Sequence, residues 1–354
     1  MRVRKMVLLV GGGGLLFGAL AAAVLVACRA PAATPTAAAG GPIAVVLVPR
    51  LDGSELVSVD VGTGRVAGRL RLRSLATDMD ADTSAGVVVA AQTGGIAGSA
   101  DDAISIIDPR SGSVRYLTLP RIDPSQLKVI GTRAIVLHAV VDRAGFLVSS
   151  VDLRSGAATT GHAPDGTGLW CLASGWLWTS VPTGGPVPFA LVRVDPATLA
   201  TRPGPDVGFN PAGVVTSGDD VLVMGAAPNG AMPARLALLG PDAATIETAS
   251  AVSGLAHGAQ IAATVGNTIV VGDWCGELPE TSSLAVVDRS TLRRIGTLAI
   301  GGAPCAIAAW GRWLLVVDRL NGELVKIDPR DGVVSWKTKL GASDLVSSKI
   351  VVLP

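Results

Sequence analysis

The sequence has little charge, and its charges nearly cancel. Charged residues make up 16% of the 354 residues, and the formal net charge is +1. Removal of a leader holding Arg2, Arg4 and Lys5 would take three positive charges away and leave −2. A near-neutral chain lacks the basic surface that nucleic-acid-binding proteins present to phosphates. We therefore expect no nucleic-acid partner.

Histidine and cysteine are also scarce, which removes the common signatures of metal sites. His138, His162 and His257 are scattered, and no H-x-x-x-H or C-x-x-C spacing occurs. Zinc sites usually need such residues at short, regular spacing. The chain also lacks a P-loop, a dinucleotide fingerprint and a G-x-S-x-G segment. The sequence therefore predicts no metal site and no cofactor.

Long amphipathic helical patterns are missing, whereas glycine and proline are abundant. The chain has 44 Gly, 22 Pro and 49% hydrophobic residues. This composition can build a large core, and it provides the turns that many short strands require. We predict one all-β domain.

The first 28 residues are organised like an export signal. The segment "MRVRK" is basic, residues 6–26 are apolar, and "LVAC" ends at Cys28. This pattern resembles a bacterial lipoprotein leader, which implies that residues 1–27 are removed and that Cys28 is acylated. An uncleaved anchor helix or an ordinary secretory signal also fits the apolar run. Each alternative places the folded domain in the cell envelope, on the extracytoplasmic side.

A low-complexity segment separates this leader from the predicted domain. Residues 28–42 are rich in Ala, Pro and Thr, a composition that cannot build a core and is typical of a flexible tether. The domain is then predicted to occupy residues 43–354.

An apolar strand followed by Asp and a turn recurs along the chain, as in "LVSVDVGTG" and "LVKIDPRDG". Successive copies are 40 to 48 residues apart, and a period near 45 residues suits one four-stranded propeller blade. The sequence therefore predicts a seven-bladed β-propeller. The anchor positions are Asp60, Asp108, Asp152, Asp195, Gly240, Asp288 and Asp328.

The residues at each anchor suggest a turn rather than a catalytic site. An Asp side chain can accept hydrogen bonds from the backbone just ahead of it, and the following Pro and Gly residues suit tight turns. The two ends of the chain each supply an incomplete blade. We expect residues 345–354 to form a strand that completes blade one and closes the ring.

The segment from Leu284 to Val334, "LAVVDRSTLRRIGTLAIGGAPCAIAAWGRWLLVVDRLNGELVKIDPRDGVV", resembles YVTN-type propeller repeats. These are related to quinoprotein-like and virginiamycin B lyase-like propellers. The lyase resemblance implies a magnesium site, for which His257 is the best positional match, but no pattern allows the role to be transferred. Trp336 looks like the blade-docking tryptophan of quinoproteins, and its lack in other blades argues against a quinone cofactor.

Three dipeptides occupy matching loops between the predicted second and third strands of their blades. They are Asp142-Arg143, Asp273-Trp274 and Asp318-Arg319. By resemblance, the face that carries these loops holds ligand sites, and mixed charge with one aromatic suits a polar ligand or peptide. The alternative is that they are solvated turn residues. Trp170, Trp176, Trp178, Trp310 and Trp313 are instead predicted to pack between blades.

Cysteine usage leaves three residues once Cys28 is assigned to lipid. We predict a Cys275–Cys305 disulfide between adjacent blades, since both residues map to the same face, with Cys171 as a buried free thiol.

The function predicted from the sequence is a membrane-anchored binding or scaffold module for a protein or polar ligand, acting as a monomer. A propeller enzyme of the lyase or quinoprotein-like class is one alternative. A sensor or accessory subunit of a membrane complex is another.

Overall fold

The computed structural model describes the part of the chain that forms the predicted propeller. The described residues are 40–50, 53–94, 101–121, 123–142, 145–163, 171–185, 189–217, 219–226, 234–240, 242, 245–253, 255, 259–273, 283–341 and 348–354. Within these ranges every regular element is a strand. They contain no helix of the length and apolar character needed to cross a membrane.

The strands form seven four-stranded antiparallel sheets, each of which is one blade. Blade one contains β28 (Lys349–Leu353), β1 (Ile43–Arg50), β2 (Gly53–Asp60) and β3 (Val66–Arg71). Blade two contains β4 (Leu75–Asp82), β5 (Val87–Gly94), β6 (Ala103–Asp108) and β7 (Ser113–Thr118). Blade three contains β8 (Pro124–Ile130), β9 (Arg133–Asp142), β10 (Gly145–Asp152) and β11 (Ala158–Ala163).

The remaining four blades follow in chain order, each running from its inner to its outer strand. Blade four contains β12 (Cys171–Ala173), β13 (Trp176–Pro182), β14 (Phe189–Val194) and β15 (Thr201–Pro203). Blade five contains β16 (Asn210–Ser217), β17 (Asp220–Ala226), β18 (Ala234–Leu239) and β19 (Ile246–Val252). Blade six contains β20 (Ala259–Val265), β21 (Thr268–Asp273), β22 (Ser283–Asp288) and β23 (Arg294–Ala299). Blade seven contains β24 (Pro304–Trp310), β25 (Trp313–Asp318), β26 (Glu323–Ile327) and β27 (Val334–Lys339).

The predicted ring closure is confirmed. The C-terminal strand β28 pairs antiparallel with β1, from Ile43 opposite Leu353 to Leu47 opposite Lys349. Blade one is therefore built from both ends of the chain, with β28 as its innermost strand. Without β28, the inner edge of β1 would be left without a partner strand.

The core consists of seven apolar layers, one at each junction between neighbouring blades. Side chains alternate in direction along a strand, so each blade contributes to the layers on both of its sides. In β1, Ala44 and Val46 pack toward blade seven, whereas Val45 and Leu47 pack toward blade two. Because the middle of each blade is buried on both faces, strands such as β1, β17 and β25 have continuous apolar runs, whereas the outer strands alternate between exposed and partly buried residues.

The Asp anchors lie where the repeat predicts, at the turn between the third and fourth strands. Asp60 Oδ1 accepts a hydrogen bond from Thr63 N at 2.7 Å, and Asp152 Oδ1 accepts one from Ser155 N, also at 2.7 Å. The remaining anchors, Asp108, Asp195, Asp288 and Asp328, accept equivalent backbone bonds at 2.8 to 3.1 Å. The prediction that these carboxylates hold turns is confirmed.

Blade seven docks onto blade one through Trp336, in the way that the resemblance to quinoproteins implies. The indole Nε1 of Trp336 donates to Val61 O at 3.2 Å, and the Nζ of Lys326 donates to the same oxygen at 2.9 Å. The ring covers Gly64, where an added Cβ would lie 2.7 Å from the indole. Gly64 also has φ +73°, so glycine is required there for both space and conformation.

Candidate functional site

Five ionisable side chains from the inner strands of blades one to four lie close together. We call this group the axial cluster; its members are Asp78 and Asp80 on β4, Lys128 on β8, Cys171 on β12 and Lys349 on β28. Inner strands begin at the edge of each blade that also carries the connections between blades and between second and third strands. We call this side of the ring the loop face.

The two aspartates of the axial cluster join blade two to blade three. Asp78 Oδ2 accepts a hydrogen bond from Leu127 N at 2.9 Å, and Asp80 Oδ2 accepts one from Val129 N at 2.8 Å. One edge of an inner strand has no neighbouring strand in its own sheet, so its N–H groups need other acceptors. The alternating Asp residues of β4 supply them. Thr77 Oγ1 extends the junction by donating to Ser125 O at 2.7 Å.

Two lysines from different blades approach the carboxylate of Asp78. Lys128 Nζ lies 3.7 Å from Asp78 Oδ2, and Lys349 Nζ lies 3.6 Å from Asp78 Oδ1. Both distances permit an ion pair, but neither is short enough for a hydrogen bond. An ammonium group has three donors, so both lysines keep donors that can bind an anion. The side chain of Lys128 is 17% exposed and that of Lys349 is 49% exposed.

The charge states within the axial cluster are set by burial and by neighbouring charges. Burial lowers the pKa of Lys128, but the negative charges of Asp78 and Asp80 outweigh this effect and leave its pKa raised. Lys128 therefore carries a positive charge throughout the physiological pH range. Burial raises the pKa of the Cys171 thiol to about 12, so this residue is a protonated thiol rather than a nucleophile at neutral pH.

Cys171 lies near Lys128 and Asp80 of the axial cluster, and it also packs against the apolar layer between blades four and five. It is partly buried, and it forms no disulfide with any cysteine in the described ranges. The expectation of a free thiol packed in the core agrees with these contacts, although Cys171 is only partly buried.

The three aspartates predicted as ligand residues occupy equivalent positions in their blades. Asp142, Asp273 and Asp318 are the last residues of β9, β21 and β25, the second strands of blades three, six and seven. Arg143 and Trp274 lie outside the described residues, as do the side chains of Asp142 and Asp273. Their proposed role in binding stays a prediction.

The side chain of Asp318 holds its own loop. It is fully buried. Its Oδ1 accepts from Ala303 N at 3.1 Å and Asn321 N at 3.2 Å, and its Oδ2 accepts from Asn321 Nδ2 at 2.6 Å. Arg319 N donates to Ala303 O at 2.8 Å. A ligand could reach the Asp318 carboxylate only by replacing these bonds, so in this conformation Asp318 shapes the loop from within.

The predicted Cys275–Cys305 disulfide also stays a prediction, because Cys275 lies outside the described residues. Cys305 is the second residue of the inner strand of blade seven and is buried, with its Sγ 3.5 Å from Val317 O.

The histidines do not come together at one site. His138 is buried in β9, with Nε2 2.8 Å from Ser149 Oγ. His162 is exposed on β11, and His257 lies outside the described residues. Within the described part of the chain, no three His, Cys, Asp or Glu side chains form a group able to hold a metal ion.

The tryptophans mostly pack between blades, as expected. Trp178 is fully buried, and Trp176 packs against the same layer between blades four and five. Trp310 packs against the layer between blades seven and one. Trp313 lies under two cations, with Arg312 and Lys326 each 4.7 Å from its ring centre. Trp170 lies outside the described residues.

Sequence reasoning missed the axial cluster. Its one local signal is "LATDMDAD", in which Asp residues alternate along a strand that the repeat marks as an inner one. The partners Lys128 and Lys349 lie 50 and 271 residues from Asp78 in the chain, so no local pattern connects them.

Comparison with known proteins supports the architecture. The sequence matches no protein-family model and no curated protein. A functionally unknown protein from Desulfotomaculum acetoxidans has a similar structure, with TM-score 0.61, 13% identity, and coverage of 87% of this chain and 98% of that one. A putative 6-phosphogluconolactonase from Bacteroides uniformis gives TM-score 0.61 and 14% identity over 88% and 100% of the two chains.

A third similar structure is apo AztD from Citrobacter koseri, with TM-score 0.59, 11% identity, and coverage of 88% of this chain and 99% of that one. Identities this low indicate a shared fold and nothing about activity, because propellers of one architecture serve unrelated functions. The chain is thus similar in structure to known propeller proteins.

Proposed function

We propose that this protein is a lipid-anchored, extracytoplasmic propeller that binds an acidic group of a ligand or partner protein at its loop face. The observation that carries the proposal is the pair of lysines beside Asp78. Each ammonium group lies 3.6 to 3.7 Å from a carboxylate oxygen and keeps donors that no described residue accepts. A carboxylate that reached these remaining donors would gain charge-assisted hydrogen bonds in a partly desolvated site.

The charge states within the axial cluster favour ligand binding over catalysis. Lys128 is permanently charged, Cys171 is protonated, and Asp78 and Asp80 already accept backbone hydrogen bonds. Neither Lys128 nor Cys171 is therefore poised to exchange a proton near neutral pH, as a general acid or base must be. We assign selection of the ligand to the surrounding loops, including Arg143, Trp274 and Arg319. Anchoring at Cys28 would keep the propeller tethered to the membrane.

Glutarate is a suitable probe, with glutaramide as its uncharged control. Titration of the full chain in detergent, followed by thermal unfolding, is expected to show stabilisation by glutarate alone, because a ligand that binds the folded state raises its stability. Lys349→Met should weaken glutarate binding about tenfold, equivalent to ~1.4 kcal/mol. Lys337→Met, which removes an exposed lysine on β27, is the matched control.

Lys128 is tested with two substitutions, because loss of its charge is expected to destabilise the fold. Lys128→Met leaves Asp78 with one cation fewer and is expected to destabilise the fold, so Lys128→Arg is measured beside it and should retain binding. Equal stabilisation by glutarate and glutaramide, or full binding by Lys349→Met, would refute the axial cluster as the anion site.

A further inference from the structure

Large apolar side chains are exposed mainly on one side of the ring. The turns between third and fourth strands all lie opposite the loop face, because neighbouring strands of a blade are antiparallel; we call this side the turn face. Among the described residues, six large apolar side chains are exposed, and five of them lie at or beside the start of a fourth strand, on the turn face. They are Val66, Ile246, Ile295, Val333 and Val334.

These exposed side chains belong to consecutive blades. Val66, Ile246 and Val334 lie opposite the residue that precedes the anchor position of blades one, five and seven. Ile295 is the second residue of the fourth strand of blade six. At the position of Val66, blades three and four have Ala158 and Thr201 instead. The exposed apolar side chains therefore follow an arc of the turn face from blade five through blades six and seven to blade one.

The central part of this arc is continuous in space. A groove of about 490 Å³ lies between β23 and the turn of blade seven, and Ile295 and Gly332 both line it. Trp336 of blade seven in turn covers Gly64 of blade one. Isolated exposed apolar residues are normal, whereas a contiguous group indicates an interaction surface. We call this group the apolar rim; its members are 39% to 63% exposed and are Val66, Ile295, Val333 and Val334.

The chain enters the propeller at the turn face, at one end of the apolar rim. Ile43 begins β1 directly opposite Asp60, the anchor residue of blade one. The preceding residue is held at the same turn, because Pro42 O accepts a hydrogen bond from Val61 N at 3.0 Å. The residues that lead back to Cys28 therefore start on the turn face of blade one.

The segment between Cys28 and the described chain is short. The eleven residues 29–39 can span at most about 40 Å when fully extended. A strand of eight residues, such as β1, is about 26 Å long, so the loop face lies about that far beyond the point where the chain enters. With the loop face on the bilayer, the segment would have to run back along a whole blade. The turn face can meet the bilayer without this detour.

The charges beside the apolar rim are mixed. Arg65 and Arg293 are exposed just before the fourth strands of blades one and six. Asp331 is also exposed, and its Oδ1 accepts a hydrogen bond from Val333 N at 2.9 Å. Apolar contact must therefore supply most of the attraction to a bilayer, and we expect neutral phospholipids to suffice.

We propose that the apolar rim contacts the surface of the bilayer that holds the lipid anchor, so that the turn face lies on the membrane and the loop face points away from it. This proposal rests on the proposed anchor at Cys28. It also deepens the proposed function, because a ligand or partner then reaches the axial cluster from the side away from the membrane.

Photocrosslinking in vesicles tests this contact. The photoreactive residue p-benzoylphenylalanine replaces Ile295 or Val333 in the full chain, and replacement of Leu320 is the matched control, since this side chain is 55% exposed but follows the second strand of blade seven, on the loop face. The protein purified from membranes is placed in phosphatidylcholine vesicles, irradiated and digested. Mass spectrometry should find phospholipid adducts at positions 295 and 333 but not at 320.

A second pair of variants tests whether the apolar side chains cause the contact. In the protein that carries the photoreactive residue at position 333, Ile295→Asp together with Val66→Asp should abolish the phospholipid adduct. Leu320→Asp should leave it unchanged. Ile295→Ser together with Val66→Ser is the milder change and should reduce the adduct, and thermal unfolding in detergent shows which variants are folded.

The mass of the N-terminal peptide separates failure of the contact from failure of the anchor. In an acylated chain, phospholipid adducts that are as frequent at position 320 as at 295 and 333, or absent from all three, would overturn the contact and leave the anchor standing. Crosslinks between two copies of the chain in place of lipid adducts would assign the rim to a dimer interface and would also overturn it. A chain without acyl groups would overturn the anchor and this contact together.

Discussion

Single aspartates at the turn between the third and fourth strands hold the outer hairpins of the blades. Each accepts bonds from the backbone two or three residues ahead, and Asp328 adds a bidentate pair with Arg330 at 2.6 and 2.9 Å. Hydrogen bonds and positive charge stabilise the ionised carboxylate, so the pKa values of these residues are lowered. For Asp328 the Arg330 side chain is the main cause, and its pKa falls to about 2.

The lowered pKa of Asp328 predicts acid sensitivity. Its folded pKa of about 2 is below the unfolded value, so the stabilisation is present above about pH 4 and is lost as the pH falls toward 2. Asp328→Asn should lower the melting temperature most at neutral pH, and the difference from wild type should shrink toward pH 2. Thermal unfolding of both proteins between pH 2 and pH 7 checks this.

The control for this prediction is Asp219→Asn, an exposed turn residue without a hydrogen bond to its side chain among the described contacts. A difference between wild type and Asp328→Asn that stays constant from pH 7 to pH 2 would contradict the assigned role of the carboxylate.

At the scale of elements, the contact between blade seven and blade one combines the Trp336 side chain, several hydrogen bonds and the strand β28. Trp336 on β27 reaches across to Val61 and Gly64, and Thr338 Oγ1 donates to Gly64 O in the same contact. In the opposite direction, Arg69 of blade one donates a hydrogen bond from its Nη1 to Leu340 O at 2.9 Å. β28 completes the same junction at its inner end.

Loss of the Trp336 side chain should weaken this junction. Trp336→Ala removes a partly buried ring and its hydrogen bond, which should reduce the free energy of unfolding by about 2 to 3 kcal/mol. Trp336→Phe keeps most of the ring contact and should cost about 1 kcal/mol. Chemical denaturation measures both, with Lys337→Ala on the exposed face of β27 as the control. Equal stability of Trp336→Ala and Lys337→Ala would show that the indole does not hold the blades together.

Removal of β28 should destabilise the whole ring. Deletion of residues 349–354 removes four apolar side chains of β28 that pack between blades, a loss of about 4 kcal/mol or more, and leaves the edge of β1 unpaired. The melting temperature should fall by about 10 °C in a single transition. Deletion of Pro354 alone, which keeps the strand, is the control. An unchanged main transition, with a small separate one at lower temperature, would mean that blade one frays alone.

At the scale of the whole molecule, the proposed function joins a binding face to a membrane. The anchoring step rests on the leader-like residues 1–27 and on Cys28, whereas the binding face rests on side chains contributed by several blades. A ring of this kind holds its loops on a rigid base, so specificity can vary in the loops while the strands stay constant.

The N-terminus of the protein purified from membranes tests the anchor. We expect mass spectrometry to show a chain that begins at Cys28 and carries acyl groups, and Cys28→Ala should lose the lipid mass. Cys171→Ala is the control and should stay acylated. A wild-type chain that retains residues 1–27 would identify an uncleaved anchor helix. A cleaved chain without lipid would identify an ordinary secretory signal.

Most of the fold could be predicted because its structural unit repeats along the chain. Each copy contains its own strand, Asp and turn, so the hairpin from third to fourth strand could be recognised at six positions and inferred at Gly240. The closure by β28 followed from counting strands at the two ends. The predicted disulfide and the candidate ligand-binding residues depend on the segments that follow the second strands, where the repeat imposes no pattern.

The sequence by itself determined the number of blades, the turns that separate their strands and the strand that closes the ring, because these features depend on local chemistry and on counting. Only the tertiary structure decided which charges meet. Asp78, Lys128, Cys171 and Lys349 come from four blades, and their proximity depends on the register of inner strands that approach each other after the ring has closed. The buried position of Asp318 was likewise decided by packing, since it depends on the backbone and side-chain groups that the folded loop brings around its carboxylate.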